Sequence, residues 1–438
     1  MSAVHIVNAR IVDPATAFDG PGEIAFDAGA GVILSVGSKA KAPRGAIVID
    51  AGEHMVCPGL VDLRVVIGEP GAESRETFKS AGRAAAAGGV TTLVQMPNTD
   101  PVIDDVSLVD FVLRRAEART EVRILPAAAL TRGLKGEAMT EIGLLAEAGA
   151  AMFTNADAPI ADSRVMRRAM SYATAFDALV AHRPEDPTLA PGGAMHEGEL
   201  AARMGLPGVP CAAETIMLGR DLALAELTGA RLLVDMISCA ESVSMLARAK
   251  SKGVKAYASV SVHHLGLNEM DVAGYRTFAK LSPPLRSEAD RLALIAGLAE
   301  GVIDVIVSGH DPRPAEDKRL PFDEAAPGAA ALETLLPGAL MAYHAEMIGL
   351  LPLLSAMTLK PAELLGLPQG RLAPGAPADL ILVDLGAPFR LDADKLLSKS
   401  RNSPFDGKLM QGRVLRTYVG GAEAYVASSA HTGREGLG

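Results

Sequence analysis

Eight short apolar segments, each followed by a longer stretch of helical spacing, run through the middle of the chain and constrain its fold more than any other feature. They read "GLVDLRVV", "VTTLVQM", "VRILPAAAL", "AAMFT", "ALVAH", "RLLVDMI", "KAYASVS" and "DVIVSG". Apolar residues dominate them with little polar alternation, as in strands covered on both faces. Glu76 to Ala87, Asp105 to Arg119, Glu137 to Ala148, Ser163 to Ala173, Glu241 to Lys252 and Glu288 to Leu298 have helical spacing. Strand and helix alternating in this way predict an α/β fold, a parallel (β/α)8 TIM barrel. A doubly wound open sheet is the rival, but eight consecutive units favour closure. The chain has 438 residues, enough for a barrel plus a smaller module, and 49% of them are apolar, enough for a large core.

Both ends of the chain read differently. Residues 1–55 carry β-branched runs such as "VHIVNARIVD" and "GVILSVG", punctuated by the turns "DGPGE" and "DAGAG". "GRLAPGAPADLILVDLGAPF" and "GKLMQGRVLRTYVGGAEAY" return to the same rhythm near the C-terminus. The expected organisation is therefore 1–55 and 369–425 forming one small discontinuous β-sandwich, 56–368 forming the barrel, and 426–438 forming a flexible tail.

The net charge of −10 argues against a nucleic-acid groove, which needs a basic surface. No apolar run reaches membrane-spanning length, and the N-terminus lacks a signal-peptide pattern. Cys57, Cys211 and Cys239 form no CxxC pair, so free, mostly buried thiols in a reducing cytoplasm are expected.

Barrel enzymes place their chemistry at the C-terminal ends of the strands. Those ends offer Arg64 and Val66, Asn98, Asn155 and Asp157, and His182, Arg183 and Glu185. Further along come Asp235, Met236 and Ser238, then His263 and His264, then Gly309, His310, Asp311 and Arg313.

"PGLVDL", "GGVTTLVQMPNT", "AHRPED", "HHL", "PPLR", "DPRPAEDK", "ALETLLP" and "SPFDGKLMQGRV" occur in an order and spacing that resemble the dihydroorotases of the amidohydrolase superfamily over nearly the whole chain. The resemblance implies an enzyme that interconverts carbamoyl-aspartate and dihydroorotate with one or two zinc ions. The metal would activate water and polarise the amide carbonyl, and an Asp at the last strand would shuttle the proton.

Placed against that pattern, this chain departs at most of the positions that matter. The strand-1 His-x-His pair falls on Arg64 and Val66. The bridging acidic position falls near Asn155 and Ala156, with Asp157 the nearest carboxylate. The strand-5 ligand is kept as His182, the strand-6 ligand falls on Met236, and the catalytic Asp falls on Gly309. Among substrate-binding positions, the family's arginine falls on Gly68, its asparagine before "PPLR" on Ser282 and the histidine after its strand-8 Asp on Arg313, while Asn98 remains. A lone imidazole does not retain zinc, Val and Gly offer no donor atom, Met suits zinc poorly, and Arg brings a fixed positive charge. The expectation is therefore no bound cofactor where the family uses zinc, and no catalytic residue.

His182, His263, His264 and His310 are then expected to be hydrogen-bonded structural residues. A zinc site relocated to His182, His310 and Asp311, with Asp157 or Asp235 helping, is the alternative. Arg64 and Arg313 are expected to pair with Asp157, Asp235 or Asp311 and plug the mouth, because buried charges need partners; a small bound anion is the other possibility. Non-catalytic dihydroorotase-like chains are companions of aspartate carbamoyltransferase, so the resemblance implies that its catalytic chain is the partner, with a homo-oligomeric state also expected. An active cyclic-amide hydrolase with an atypical metal site, and an anion-metabolite-binding module, are the competing readings. A metal-free hydrolase would need a nucleophile in contact with a base, and Ser238 and Cys239 are the nearest candidates.

Overall fold

The computed structural model describes residues 3–428. Eight parallel strands form the central sheet: β1 (Leu60–Val65), β2 (Val90–Gln95), β3 (Arg123–Ala129), β4 (Met152–Thr154), β5 (Leu179–His182), β6 (Arg231–Val234), β7 (Ala256–Ser261) and β8 (Val305–Val307). Each lies within one of the eight segments expected from the sequence. Every residue of β1, β2, β4, β5 and β8 is buried, the consequence of helices outside and packed side chains inside. The inside layer includes Val61, Leu63, Val94, Ala127, Leu233 and Val305, so the barrel is a filled core rather than a pore.

The barrel closes between β8 and β1 through one parallel bridge, Val65 with His310, where the Val66 N–H donates to the His310 carbonyl at 2.8 Å. Asp62 completes the seam. Its Oδ1 accepts the N–H groups of Ser308, at 3.1 Å, and of Arg64, at 3.2 Å, while Oδ2 has no partner. Burial pushes this carboxyl up to about 6, against the lowering effect of its bonds to Ser308 and Arg64. The folded chain therefore binds this proton more tightly than the unfolded chain, and the resulting stabilisation is complete below about pH 4 and lost as pH rises through about 6. Asp62→Asn mimics the protonated state. Urea unfolding of the variant should give a gain of order 2–3 kcal/mol at pH 8, shrinking towards zero near pH 4. An equal difference at both pH values would show that Asp62 does not titrate in this window.

The terminal segments join as expected into one β module, whose eight strands form a single hydrogen-bonded sheet. The N-terminal strands Ala3–Asp13, Phe18–Asp27 and Met55–Pro58 meet the C-terminal strands Leu380–Arg390 and Leu409–Val419 in it. Met55–Pro58 is the splice, pairing antiparallel with Leu380 to Val383 on one side and parallel with Arg10 and Ile11 on the other. Ile6, Ile24, Phe26, Val56, Leu380 and Tyr418 fill its core, with Phe26 and Tyr418 edge to face at 5.1 Å. The last strand is Ala422–Val426, so Val426 belongs to the sheet rather than the tail; residues 429–438 lie outside the described residues.

The helices differ from expectation in several places, and helices such as Leu335–His344 lie outside the stretches expected from spacing. The first barrel helix starts at Phe78 rather than Glu76, because Thr77 caps it and the Glu76 side chain is bound instead to Ser398 and the Lys399 N–H. Glu137 to Ala148 shortens to a helix at Ile142–Glu147, the preceding residues being held in a loop by the Thr131–Met139 bridge. The longest helix among the described residues, Cys211–Thr228, was not expected from helical spacing. Its apolar residues run all round it, so it lacks the one-sided stripe by which a surface helix is recognised. No helix of the described residues is long and apolar enough to cross a membrane.

Candidate functional site

Arg64 lies at the end of β1 and is 4% exposed. Its guanidinium spans the mouth: Nη1 bonds Asp235 Oδ2 just past β6, and Nη2 bonds Asp157 Oδ1 in the loop after β4, at 2.6 Å. Nη1 also lies 3.8 Å from the Met96 sulfur. Asp235 is as buried as Arg64, and its Oδ1 accepts from Ser259 Oγ at 2.9 Å. Asp157 is the half-exposed partner, and Arg183 approaches it from the far side with Nε at 3.2 Å. Burial raises the Asp157 carboxyl, but Arg64, Arg183 and Arg313 outweigh that and hold it below the ordinary carboxylate range.

A second charge cluster closes the other side. Asp311 accepts Arg75 Nη2 on one oxygen and Arg313 Nη2 on the other, both at 2.5 Å. Arg313 also donates to the Pro327 carbonyl at 2.7 Å. Burial is the largest influence on Asp311 and keeps its carboxyl raised, with Asp157 adding to that and the two arginines opposing it. The expected pairing of Arg64 and Arg313 with the mouth carboxylates is therefore what the structure contains. Because both guanidinium groups are committed, the mouth has no free cation of theirs to offer an anion. A cavity of about 120 Å3 remains between the clusters, lined by Met236, Ser261, His263, His264, Ser282 and Gly309 among others.

His182, the one retained family ligand, is 1% exposed and fully engaged. Its Nδ1 donates to Asp221 Oδ2 at 2.6 Å, and its Nε2 accepts the Ile160 N–H at 3.3 Å. Arg220 in turn bonds Asp221 at 2.7 Å. His310 is bonded at one nitrogen: Nδ1 accepts the Ala331 N–H at 3.0 Å, while Nε2 makes no hydrogen bond and faces the buried Glu76 carboxylate at 3.5 Å. His263 bonds Ser261 Oγ at 3.0 Å and stacks on Phe405, and His264 Nε2 donates to the Pro284 carbonyl at 3.1 Å. Burial pushes these two imidazoles down to about 3 and about 4, so both are neutral at pH 7. Each keeps one ring nitrogen without a partner.

The remaining sequence-predicted positions have local duties. Asn155 accepts the Thr131 N–H and donates to Thr131 Oγ1, tying the loops after β3 and β4 together. Asn98 is half-buried with its Oδ1 unpartnered. Ser282 Oγ accepts from Arg183 at 3.1 Å, and Glu185 pairs with Arg183 at 2.9 Å. Ser238 is buried between Glu214 and Arg286, its hydroxyl donating to the former and accepting from the latter, and among the described residues no imidazole bonds it. Val66 contributes only packing and its backbone. Met236 has a positive φ of 53°, and Gly309 one of 63°. A Cβ at Gly309 would lie 2.9 Å from Ser261 Oγ and 3.4 Å from the Met236 sulfur, so those neighbours occupy the space a longer side chain would need.

The donor set does not fit zinc. Val66 and Gly309 have no ligating atom, Arg64 occupies the mouth as a permanent cation, and both nitrogens of His182 are used within the protein. The relocated set of His182, His310 and Asp311 does not converge either: among the described residues no three His, Cys, Asp or Glu side chains are placed to hold a metal ion. Among the site residues that escaped the sequence analysis are Arg75, which pairs with Asp311, and Asp221 and Arg220, which together buttress His182. The signal of the last two was an adjacent Arg–Asp pair in the middle of the mostly apolar helix Cys211–Thr228.

The chain is similar to known proteins over nearly its full length. The family described as Dihydro-orotase-like matches residues 53–242. A dihydroorotase of Desulforapulum autotrophicum is 41% identical over 422 residues, covering 96% of this chain and 99% of that one. A dihydroorotase of Anaplasma phagocytophilum is 40% identical over 430 residues, covering 97% and 95%. Among solved structures, the L-hydantoinase (dihydropyrimidinase) of Arthrobacter aurescens superposes with a TM-score of 0.87 at 26% identity, covering 98% of each chain.

Proposed function

The chain belongs to the dihydroorotase family, and from that premise we propose that it is a metal-free, non-catalytic member serving pyrimidine biosynthesis as a structural partner of the aspartate carbamoyltransferase catalytic chain. One observation carries the reading: the Arg64 guanidinium sits between Asp157 and Asp235, where the resemblance calls for a zinc-binding histidine. A cation and a divalent metal cannot share that space, because at a few ångströms their repulsion in a water-poor pocket is many kcal/mol. What remains of the family is its fold, so selection on the chain acts through assembly. The partner follows from the resemblance alone.

The second reading, an active dihydroorotase, is supported by the near full-length identity to proteins named dihydroorotase. No step of such a reaction can be assigned to the residues at this mouth. Elemental analysis of the purified chain separates the two, together with dihydroorotate hydrolysis assayed with and without added zinc. Expected are substoichiometric zinc and hydrolysis at the background rate in both conditions; stoichiometric zinc with turnover would establish the active reading. For the partner, the chain is expected to co-elute with the carbamoyltransferase on size exclusion, and independent elution of the two at micromolar concentration rejects it.

A further inference from the structure

We propose that Cys211 and Cys239 form a reversible thiol–disulfide site that reacts with low-molecular-weight disulfides such as glutathione disulfide. This goes beyond the reading above and does not depend on it. The two residues open consecutive helices: Cys211 is the first residue of Cys211–Thr228, and Cys239 is the cap of Ala240–Ser251. Their thiols face each other as hydrogen-bond partners.

Two buried side chains brace the helix starts against each other. Glu214, one turn after Cys211, accepts the N–H groups of Ser238 at 3.0 Å and of Cys239 at 3.3 Å, and the Ser242 hydroxyl at 2.5 Å. Residues i and i+3 share a helix face, so Cys211 stands on the side of the helix that Glu214 turns towards Cys239. Arg286 spans the same gap. Its Nη1 donates to the carbonyl of Val209, just before Cys211, at 2.5 Å, and its Nε to the Oγ of Ser238, the neighbour of Cys239, at 3.0 Å. Glu214 and Arg286 are each 3% exposed. The fold, through these braces, keeps the two cysteines together.

The two sulfurs differ as an attacking and a resolving thiol must. Cys211 is half-buried, whereas Cys239 is 1% exposed. The bond from Cys239 holds the Cys211 thiol below the ordinary thiol range; Arg286 assists, while burial, Asp290 and Glu214 oppose. The bond to Cys211, burial and Glu214 push the Cys239 thiol up. Cys239 therefore stays the S–H donor, and Cys211 carries the thiolate. A partly exposed thiolate at a helix start beside an arginine is the setting in which cysteines react. Cys57 lies fully buried in the β module, and burial pushes its thiol up, so it takes no part.

The exchange balances in two steps. The Cys211 thiolate attacks one sulfur of glutathione disulfide, forming a mixed disulfide, and the first glutathione leaves as a thiolate that takes the Cys239 proton. The Cys239 sulfur then attacks the Cys211 sulfur and expels the second glutathione, which takes from solvent the proton that Cys211 had given up. The protein is oxidised by two electrons, and the glutathione disulfide is reduced to two thiols. The new bond ties the segment after β6, which carries Asp235 and Met236 at the mouth, to the helix Cys211–Thr228.

Intact mass and peptide mapping of the full chain, first reduced and then incubated with glutathione disulfide, test this. Expected are a loss of two hydrogen atoms in mass, a Cys211–Cys239 linkage, a free Cys57, and full reversal by dithiothreitol. Cys239→Ser should stop with one glutathione on Cys211, and Cys211→Ser should take up none, both with an unchanged circular dichroism spectrum. A parent that stays unmodified, or that ends as a stable glutathione adduct, overturns the proposal. So does Cys211→Ser if it takes up glutathione at Cys239.

Discussion

Arg64→Met is expected to lower the stability of the chain by about 3–5 kcal/mol at pH 7.5, the range for removing one partner of a buried ion pair. The guanidinium is 4% exposed and bridges two carboxylates. Without it, Asp235 is left as a buried anion whose remaining bond is from Ser259. Asp157, being half-exposed, adds less because solvent screens it. Adding Asp235→Asn should recover about half of the loss, because the couple rather than either member causes the penalty. Guanidinium chloride unfolding of the parent, both single variants and the double variant at pH 7.5 gives the coupling energy directly. Additive single losses would mean that Arg64 and Asp235 are neighbours without being partners.

Gly68→Arg, which writes the family's arginine back into the loop after β1, is expected to cost at least about 3 kcal/mol and to restore nothing. The obstacle is space rather than charge. A Cβ at Gly68 would lie 2.0 Å from the Ala72 carbonyl oxygen and 3.0 Å from that of Glu76. The loop cannot easily back away. The Ala72 N–H donates to the Gly68 carbonyl at 2.5 Å, Glu69 accepts the Phe78 N–H at 3.0 Å and Arg115 Nε at 2.8 Å, and Glu76 is tied to Ser398 and Lys399. Gly68→Ala should therefore lose nearly as much as Gly68→Arg. If Ala were neutral and only Arg destabilising, the cost would lie in the guanidinium and not in the backbone approach. The loop thus leaves no room for a side chain at position 68 on steric grounds, independently of the charges around Arg64.

The barrel strands were legible because a strand buried on both faces leaves an apolar run bounded by turn residues, and each run contains its strand. The β module was legible from β-branched runs at both ends, although its single continuous sheet depends on the Met55–Pro58 splice, a pairing between distant parts of the chain that no local pattern records. The Cys211–Thr228 helix escaped for the opposite reason: when residues on every face are apolar, periodicity vanishes. At the site, the strand-end positions of Arg64, Met236 and Gly309 were legible, and all three line the mouth cavity. Asn155 and His182 could be located but not assigned, since nothing in "FTNADAP" points to Thr131 and nothing in "VAHRPED" points to Asp221.

The amino-acid order by itself determined which chemical groups line the barrel's open end, because strand ends come at known places along the chain and a side chain without a donor atom stays without one in any fold. Only the folded molecule decided which charges meet. Arg64 touches Asp157 and Asp235, residues 93 and 171 positions away, and His182 spends both nitrogens on neighbours it acquires in space. Ion pairing falls off within a few ångströms, and separations on that scale between distant residues exist only once the chain has closed into its barrel.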